Sequence, residues 1–363
     1  MIYRAIGVMS GSSLDGLDIV FTELTETGGK WTYAIIAADC VAYNNEWKEH
    51  LRNAVNFSAL EYQLLHTAYG HFIGNKINEF IDTNNLHHRV NLIASHGHTT
   101  FHLPAQKMTA QLGDGASIAA ITKLPVVSDL RNVDVAFGGQ GAPIVPIGEK
   151  LLLGEYQYLL NIGGIANITI NTNGNYKAFD VCAANSILNS LVAEIGLLYD
   201  EGGNIAATGT VNTNLLQQLN ALPFYTETAP KSLSNNFGIS AVLPIIKSAN
   251  ISKQDALRTY VEHIAIQIKA ALVSKIINDE AGKILITGGG AFNTFLIGRL
   301  TDLLSTENII VVVPQEQLVQ YKEALIMALM GVLRWREEAN VLCSVTGAQQ
   351  NSIGGALWLG TQA

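Results

Sequence analysis

Residues Ile6-Gly7-Val8-Met9-Ser10-Gly11-Ser12-Ser13-Leu14-Asp15-Gly16-Leu17-Asp18 decide how the rest of the chain reads. An apolar run enters a turn made of Gly, Ser and Asp, and a second apolar run, Ile19-Val20-Phe21, leaves it. Gly7, Gly11 and Gly16 permit a sharp bend and close approach to a ligand. Ser10, Ser12 and Ser13 add hydroxyls, and successive turn amides can form an anion-binding nest. Asp15 and Asp18 place carboxylates where a divalent cation on a phosphate would sit. The stretch lacks the Gly-Lys-Ser/Thr ending of a Walker A loop, and a strand rather than a helix is expected after it. On its own it reads equally as a plain β-hairpin with polar turn residues.

The chain of 363 residues predicts two domains, and 48% hydrophobic against 14% charged residues predicts a substantial core. No apolar stretch has the length needed to span a bilayer. The polar turn interrupts the N-terminal apolar run too early for a signal peptide, so a cytoplasmic protein without a membrane partner is expected. Cys40, Cys182 and Cys343 are scattered and form no CxxC pair, which argues against a zinc or disulfide framework. Cys40 and Cys343 read as buried small hydrophobes. A net charge of −8 with no Lys/Arg-rich run argues against a nucleic-acid partner.

Along the chain, residues 2–9, 17–24 and 31–39 read as strands, with a turn at Gly28-Gly29. Apolar spacings of three and four predict helix from Asn44 to about Leu86. A strand over 90–95 ends in the loop Ser95-His96-Gly97-His98-Thr99. A short strand 109–112, a helix 116–122 and a strand 125–128 follow. The breaker-rich segment Phe137–Pro146 reads as the inter-domain boundary, giving domains 1–140 and 141–363, with a C-terminal tail able to pack back on the first. The strand-turn-strand theme then returns: 158–162, the turn Gly163-Gly164, 168–170 and 176–180. Helices are expected at 184–198, 212–220 and 252–278. A strand 284–286 ending in Thr287-Gly288-Gly289-Gly290, a helix 292–303, a strand 309–313 and a helix 322–336 complete the chain. Both halves begin as a three-strand meander with a glycine turn after its first strand.

These residues resemble the anhydro-N-acetylmuramic acid kinase family, within the actin, hexokinase and Hsp70 superfamily. Gly11-Ser12-Ser13-Leu14-Asp15-Gly16-Leu17-Asp18 is similar to the family's Gly-Thr-Ser-Leu-Asp-Gly-Val-Asp. The resemblance continues through Ser95–Thr99, Asp129-Leu130-Arg131, Gly138–Pro143, Asn161–Thr169, Thr287–Asn293 and Ser344–Ala348, covering nearly the whole chain in order. It implies an α/β protein with two ribonuclease H-like (actin/hexokinase-type) domains facing each other across a nucleotide cleft. It also implies a cytoplasmic, dimeric kinase using ATP and Mg2+. That enzyme opens the 1,6-anhydro sugar with water and phosphorylates the freed O6, in cell-wall recycling.

By the same resemblance, ATP and its phosphates fall to Gly11, Ser12, Ser13, Leu14, Asp15, Gly16, Leu17, Asp18, Gly163, Gly164, Gly288, Gly289, Gly290 and Asn293. The sugar falls to Ser10, His96, Gly97, Arg131, Asn185 and Glu323, and the catalytic base to Asp180. Bottom-up, Asp180 ends an apolar strand before a helix, which suits either a reactive carboxylate or a helix cap. Arg131 can clamp a carboxylate bidentately or pair with Asp129 or Asp134. His96, His98 and His102 can hydrogen-bond sugar hydroxyls, a zinc site being the weaker reading. Glu323 suits the sugar or a helix start, and Lys231 a phosphate or solvent. Cys182 beside the base reads as packing. The family's Asp-Thr-Gly-Pro-Gly-Asn is Asp180-Val181-Cys182-Ala183-Ala184-Asn185 here, and its Pro-Lys-Ser-Thr-Gly-Arg-Glu loop is altered at 230–236. These departures keep two alternatives open, a different sugar or a non-catalytic nucleotide-binding protein.

Overall fold

A computed structural model describes residues 1–11, 14–172, 174–228, 231–234, 236–273 and 282–361. In chain order its strands are β1 (Ile2–Ser10), β2 (Gly16–Thr27), β3 (Lys30–Ala42), β4 (Leu92–Ser95), β5 (His98–Leu103), β6 (Met108–Leu112), β7 (Val126–Ser128), β8 (Tyr158–Ile162), β9 (Ile165–Thr172), β10 (Asn175–Ala183), β11 (Gly282–Thr287), β12 (Ile309–Val312) and β13 (Ala356–Trp358). The chain divides into two compact units, Met1–Gly154 with Tyr321–Ala363, and Glu155–Gln320.

In the first unit the sheet order is β13-β7-β4-β1-β2-β3. β1, β2 and β3 form an antiparallel meander, and β4 and β7 add in parallel on the β1 side. In the second unit the order is β10-β9-β8-β11-β12. There β8, β9 and β10 form the meander, and β11 and β12 add in parallel on β8. Each unit thus has the ribonuclease H-like order, a meander whose first strand becomes the sheet's centre.

Central position explains the composition of β1. Ile6 and Val8 are fully buried and pack with Ile73 and Ile77 of the helix Ala59–Thr83 in one core cluster. That helix starts where Ser58 and Glu61 close a reciprocal capping box at 3.3 and 2.8 Å. The opposite face of β1 lies against the helix Glu316–Trp335, so closely that a Cβ on Gly7 would stand 1.8 Å from the Ala324 carbonyl oxygen. A glycine in the central strand is therefore what seats this helix and, with it, Glu323. The second unit has its own core, built from β8–β11 and the helix Lys253–Val273 around Leu160, Ile162, Cys182, Tyr260 and Ile286.

The expected helix from 44 to 86 is two helices. Asn45–Asn53 runs into a short 3-10 turn, and Phe57 is extended before Ser58 caps the second. The loop expected at Ser95–Thr99 ends two residues early, because His98 opens β5, which pairs with β6. The helix Asn185–Ala193 stops short of 198, and the π-turn Gly238–Val242 with the helix Leu243–Ser248 was not foreshadowed by periodicity. The expected helix end at 274–278 lies outside the described residues.

The observed division differs from one at 140/141, because residues 141–154 and 321–363 pack with the N-terminal unit. A Cβ on Gly148 would lie 2.5 Å from Ile326, the buried Lys322 and Glu149 pair at 2.7 Å, and β13 joins β7.

Candidate active site

In the first unit, the ends of β1 and β4 and the start of β2 gather the residues singled out from sequence. The His96 backbone N–H donates to Val8 O at 3.0 Å, so the chain after β4 leaves beside the end of β1. Leu14 takes a left-handed φ of 59° after its N–H bonds Gly11 O at 3.4 Å, which closes the turn into Asp15 and Gly16. Ser12 and Ser13 lie outside the described residues. The Ser10 hydroxyl accepts from Tyr43 OH at 2.9 Å and stands 3.2 Å from His98 Nδ1. Tyr43 OH is 2.5 Å from Tyr69 OH. Gly97 takes φ 72°, and a Cβ there would lie 2.3 Å from Leu112 O.

Arg131 donates from Nε to His96 Nε2 at 2.8 Å and from Nη1 to Gly141 O at 2.9 Å. The ion pair that composition allowed with Asp129 or Asp134 is not made. Asp134 is spent on Gly141 N at 2.8 Å and Thr346 Oγ1 at 2.7 Å, while Asp129 accepts from Ser128 and Asn132. Burial lowers the guanidinium to about 10, and the nearby Glu323 raises it, so Arg131 stays cationic at neutral pH. Glu323 also acts on Asp18. Burial, with Glu323 and Asp15 adding negative charge, lifts the Asp18 carboxyl to about 6 despite a bond from the Cys40 thiol. Asp18, Arg131 and Glu323 therefore share one electrostatic neighbourhood.

In the second unit, the turn after β8, the end of β11 and the start of the helix Asn185–Ala193 meet. Gly163 O and Gly164 O accept the backbone N–H groups of Asn185 at 3.1 Å and Ala184 at 2.8 Å. Asn185 Nδ2 donates to Ile162 O at 3.2 Å and would lie 3.7 Å from a Cβ on Gly289. Gly288 has φ 81°, and a Cβ there would press Asn161 Oδ1 at 2.7 Å, so only glycine fits this approach. Asn293 caps the helix Thr294–Ser305 through Leu296 N at 3.0 Å. Its Oδ1 also lies against Gly203, in the turn Asp200–Gly203 that sequence reasoning passed over.

Asp180 lies near the end of β10, just before a bulge at Val181. Its Oδ2 accepts from Leu233 N at 2.8 Å and Ser232 Oγ at 3.1 Å, leaving Oδ1 without a hydrogen bond among the described residues. Burial raises its pKa and those two donors lower it. It does not serve as a helix cap: the following helix has no side-chain cap. Lys231 is half-buried, with Glu227 near enough to act on its charge. It donates to Phe224 O at 2.8 Å and lies 4.3 Å above that ring.

Cys182 is fully buried with burial pushing its thiol up, so it packs. Cys40 is exposed and Cys343 half-buried, which corrects the expectation that both are core residues. Cys40 lies on β3, an edge strand with one open face, where an apolar run gives no sign of burial. His102 bonds Thr109 at 3.1 Å. The bracing of Asp180 by Ser232 and Leu233, and the Tyr43–Tyr69 pair behind Ser10, had no local sequence signal. The Asp134 link from Gly141 to Thr346 had none either, although the stretches holding Gly141 and Thr346 each stand out in the sequence.

The family model described as anhydro-N-acetylmuramic acid kinase matches residues 3–360. A protein of Francisella tularensis subsp. novicida with that name is 33% identical, with 97% of each chain covered. One of the same name from Zymomonas mobilis subsp. mobilis is 35% identical, covering 83% of this chain and 84% of that one. Among solved structures, the chain is similar to component A of the (R)-2-hydroxyglutaryl-CoA dehydratase of Acidaminococcus fermentans. The TM-score is 0.47 at 16% identity, covering 91% of this chain and 97% of that one.

Proposed function

The chain belongs to the anhydro-N-acetylmuramic acid kinase family, and from that premise we propose how its residues divide the reaction. The activity is that of a sugar kinase. Water adds to the anomeric carbon of 1,6-anhydro-N-acetylmuramic acid, the bond from that carbon to O6 breaks, and O6 takes the γ-phosphoryl group of ATP. The products are N-acetylmuramic acid 6-phosphate and ADP. A match over residues 3–360 does not favour a different sugar or a non-catalytic protein.

Asp180 is the base that takes the water's proton. The observation that carries this role is its half-open carboxylate, with Oδ2 held by Leu233 and Ser232 and Oδ1 left to accept. A base needs a proton affinity near the working pH, and burial moves Asp180 in that direction. Gly11 to Asp18, Gly163, Gly164, Gly288 to Gly290 and Asn293 make up the nucleotide-binding group. Backbone amides at such turns bind phosphate without bulk from side chains. Ser10, His96, Gly97, Arg131, Asn185 and Glu323 make up the sugar-binding group.

Magnesium belongs to this reading. Glu323 and Asp15 add negative charge at Asp18, but among the described residues no three acidic, His or Cys groups stand together to hold a metal ion, so the ion would come with the nucleotide's phosphates and take only carboxylates of this turn. Asp18 and Asp15 would hold the ion, which neutralises phosphate charge when bound. A cytoplasmic homodimer completes the reading, on the family resemblance alone. None of the described helices is long and apolar enough to cross a membrane.

ADP release with and without anhydro-N-acetylmuramic acid tests the assignment. Sugar-stimulated turnover is expected, and nucleotide binding with no sugar stimulation would overturn it.

A further inference from the structure

Two histidines stand two residues apart in Ser95-His96-Gly97-His98-Thr99, both almost fully buried at 3% and 6% exposure. Their hydrogen bonds assign them opposite tautomers. Arg131 Nε can only donate, so His96 Nε2 must accept, and His96 Nδ1 carries the proton it gives to Gly97 O at 2.8 Å. Both ring nitrogens of His96 are thereby used.

His98 is set from the other side. Tyr43 donates to Ser10 Oγ, and Tyr69 OH lies behind Tyr43 at 2.5 Å. Ser10 is 3% exposed, and of the two acceptors near its hydroxyl proton, the Tyr69 oxygen and His98 Nδ1, only His98 Nδ1, at 3.2 Å, stands in hydrogen-bond geometry among the described residues. An unpaired buried hydroxyl would cost the full desolvation of that group. The arrangement that leaves none is the relay Tyr69 to Tyr43 to Ser10 to His98. His98 then carries its proton on Nε2, and among the described residues that nitrogen has no partner.

We propose that His98 is the direct hydrogen-bond donor from this loop to an oxygen of the sugar, and that His96 is a positioning residue acting through Arg131. The proposal rests on the kinase reading for its ligand, but not for its tautomers. It moves the direct contact within the sugar-binding group from His96 and Ser10 to His98. Burial keeps both rings neutral, His96 at about 3 and His98 at about 4, so neither is an acid at working pH. The groups facing them are Arg131, Ser10 and each other.

Nitrogen-15 imidazole spectra of the free protein test the tautomers without any turnover. His96 is expected protonated on Nδ1 and His98 on Nε2; the reverse at His98 overturns the proposal. Kinetics with anhydro-N-acetylmuramic acid and ATP test the contact. His98→Phe is expected to lower kcat/KM for the sugar at least tenfold with the KM for ATP unchanged, and His98→Gln, which keeps an N–H, to recover most of it. A folded His98→Phe variant with unchanged sugar kinetics overturns the contact. Tyr43→Phe breaks the relay without touching the sugar and is expected to lose about threefold in the same parameter. Should the unaltered protein show no sugar-stimulated turnover, the kinase reading falls, while the spectra still decide the tautomers.

Discussion

Asp180 Oδ2 accepts the backbone N–H of Leu233 at 2.8 Å, across 53 residues of chain. The same loop returns the favour in reverse, since Asp180 N donates to Lys231 O at 3.0 Å. One bond to the carboxylate and one to the backbone tie Asp180 to this loop at both ends and so fix the carboxylate's orientation. The loop is also where this chain departs from the family pattern, at Ser234, Asn235 and Asn236. Its bracing contacts come from Lys231, Ser232 and Leu233, upstream of that change.

Replacing Asp180 with Asn keeps an oxygen for Leu233 but removes the base. Sugar-dependent turnover is expected to fall by roughly 10²–10⁴-fold, the usual range for general-base loss. Nucleotide affinity measured by calorimetry should stay within about twofold. An equally steep loss of nucleotide binding would remove Asp180 from this role.

Ser232→Ala deletes one of the two donors that stabilise the ionised Asp180. The Asp180 pKa must then rise, because burial already raises it and less opposes that effect. Since the base works deprotonated, the acid limb of the kcat/KM profile moves to higher pH, with the plateau retained. A limb that stays in place or moves to lower pH would contradict the assignment.

Lys322 Nζ pairs with Glu149 Oε1 at 2.7 Å, the two residues being 5% and 3% exposed, and Glu149 Oε2 has no hydrogen-bond partner among the described residues. Lys322→Ala leaves that carboxylate buried without its cation, so a loss of about 3–5 kcal/mol is expected. Urea unfolding measures it. The double variant Lys322→Met with Glu149→Leu should recover most of the loss, because no charge then remains buried.

His263 is fully buried between Asn220 and Tyr225, and burial holds it at about 3. In the unfolded chain it binds a proton near its ordinary 6.5, and in the folded chain it does not, so stability falls as pH drops below 6.5. His263→Gln lacks this dependence. The unfolding free energy of wild type minus variant is expected to fall by about 2 kcal/mol from pH 6.5 to 5. A pH-independent difference would show that His263 is protonated in the fold.

The strands and glycine turns were legible because their signals are local. Alternation predicts β2, Gly28-Gly29 marks the turn to β3, and Gly288 ends β11 at a positive φ. Less legible were Cys40, apolar by type yet exposed on an edge strand, and His98, which opens a strand. Their environments depend on neighbours far along the chain. The helix from 44 to 86 failed locally: its apolar spacing ran on through Phe57, while Ser58 and Glu61 formed a fresh cap.

By itself the sequence determined two meanders with glycine turns, the family they belong to, and the residue types gathered near them. Backbone sterics and side-chain periodicity act within a few residues, so such features need no knowledge of the fold. Only the tertiary structure decided which partner each polar group takes. Ser10 meets His98 across 88 residues, Arg131 meets His96 across 35 and Thr346 meets Asp134 across 212. A histidine's tautomer or a carboxylate's free oxygen follows from those partners, and burial makes the choice binding by removing water as an alternative.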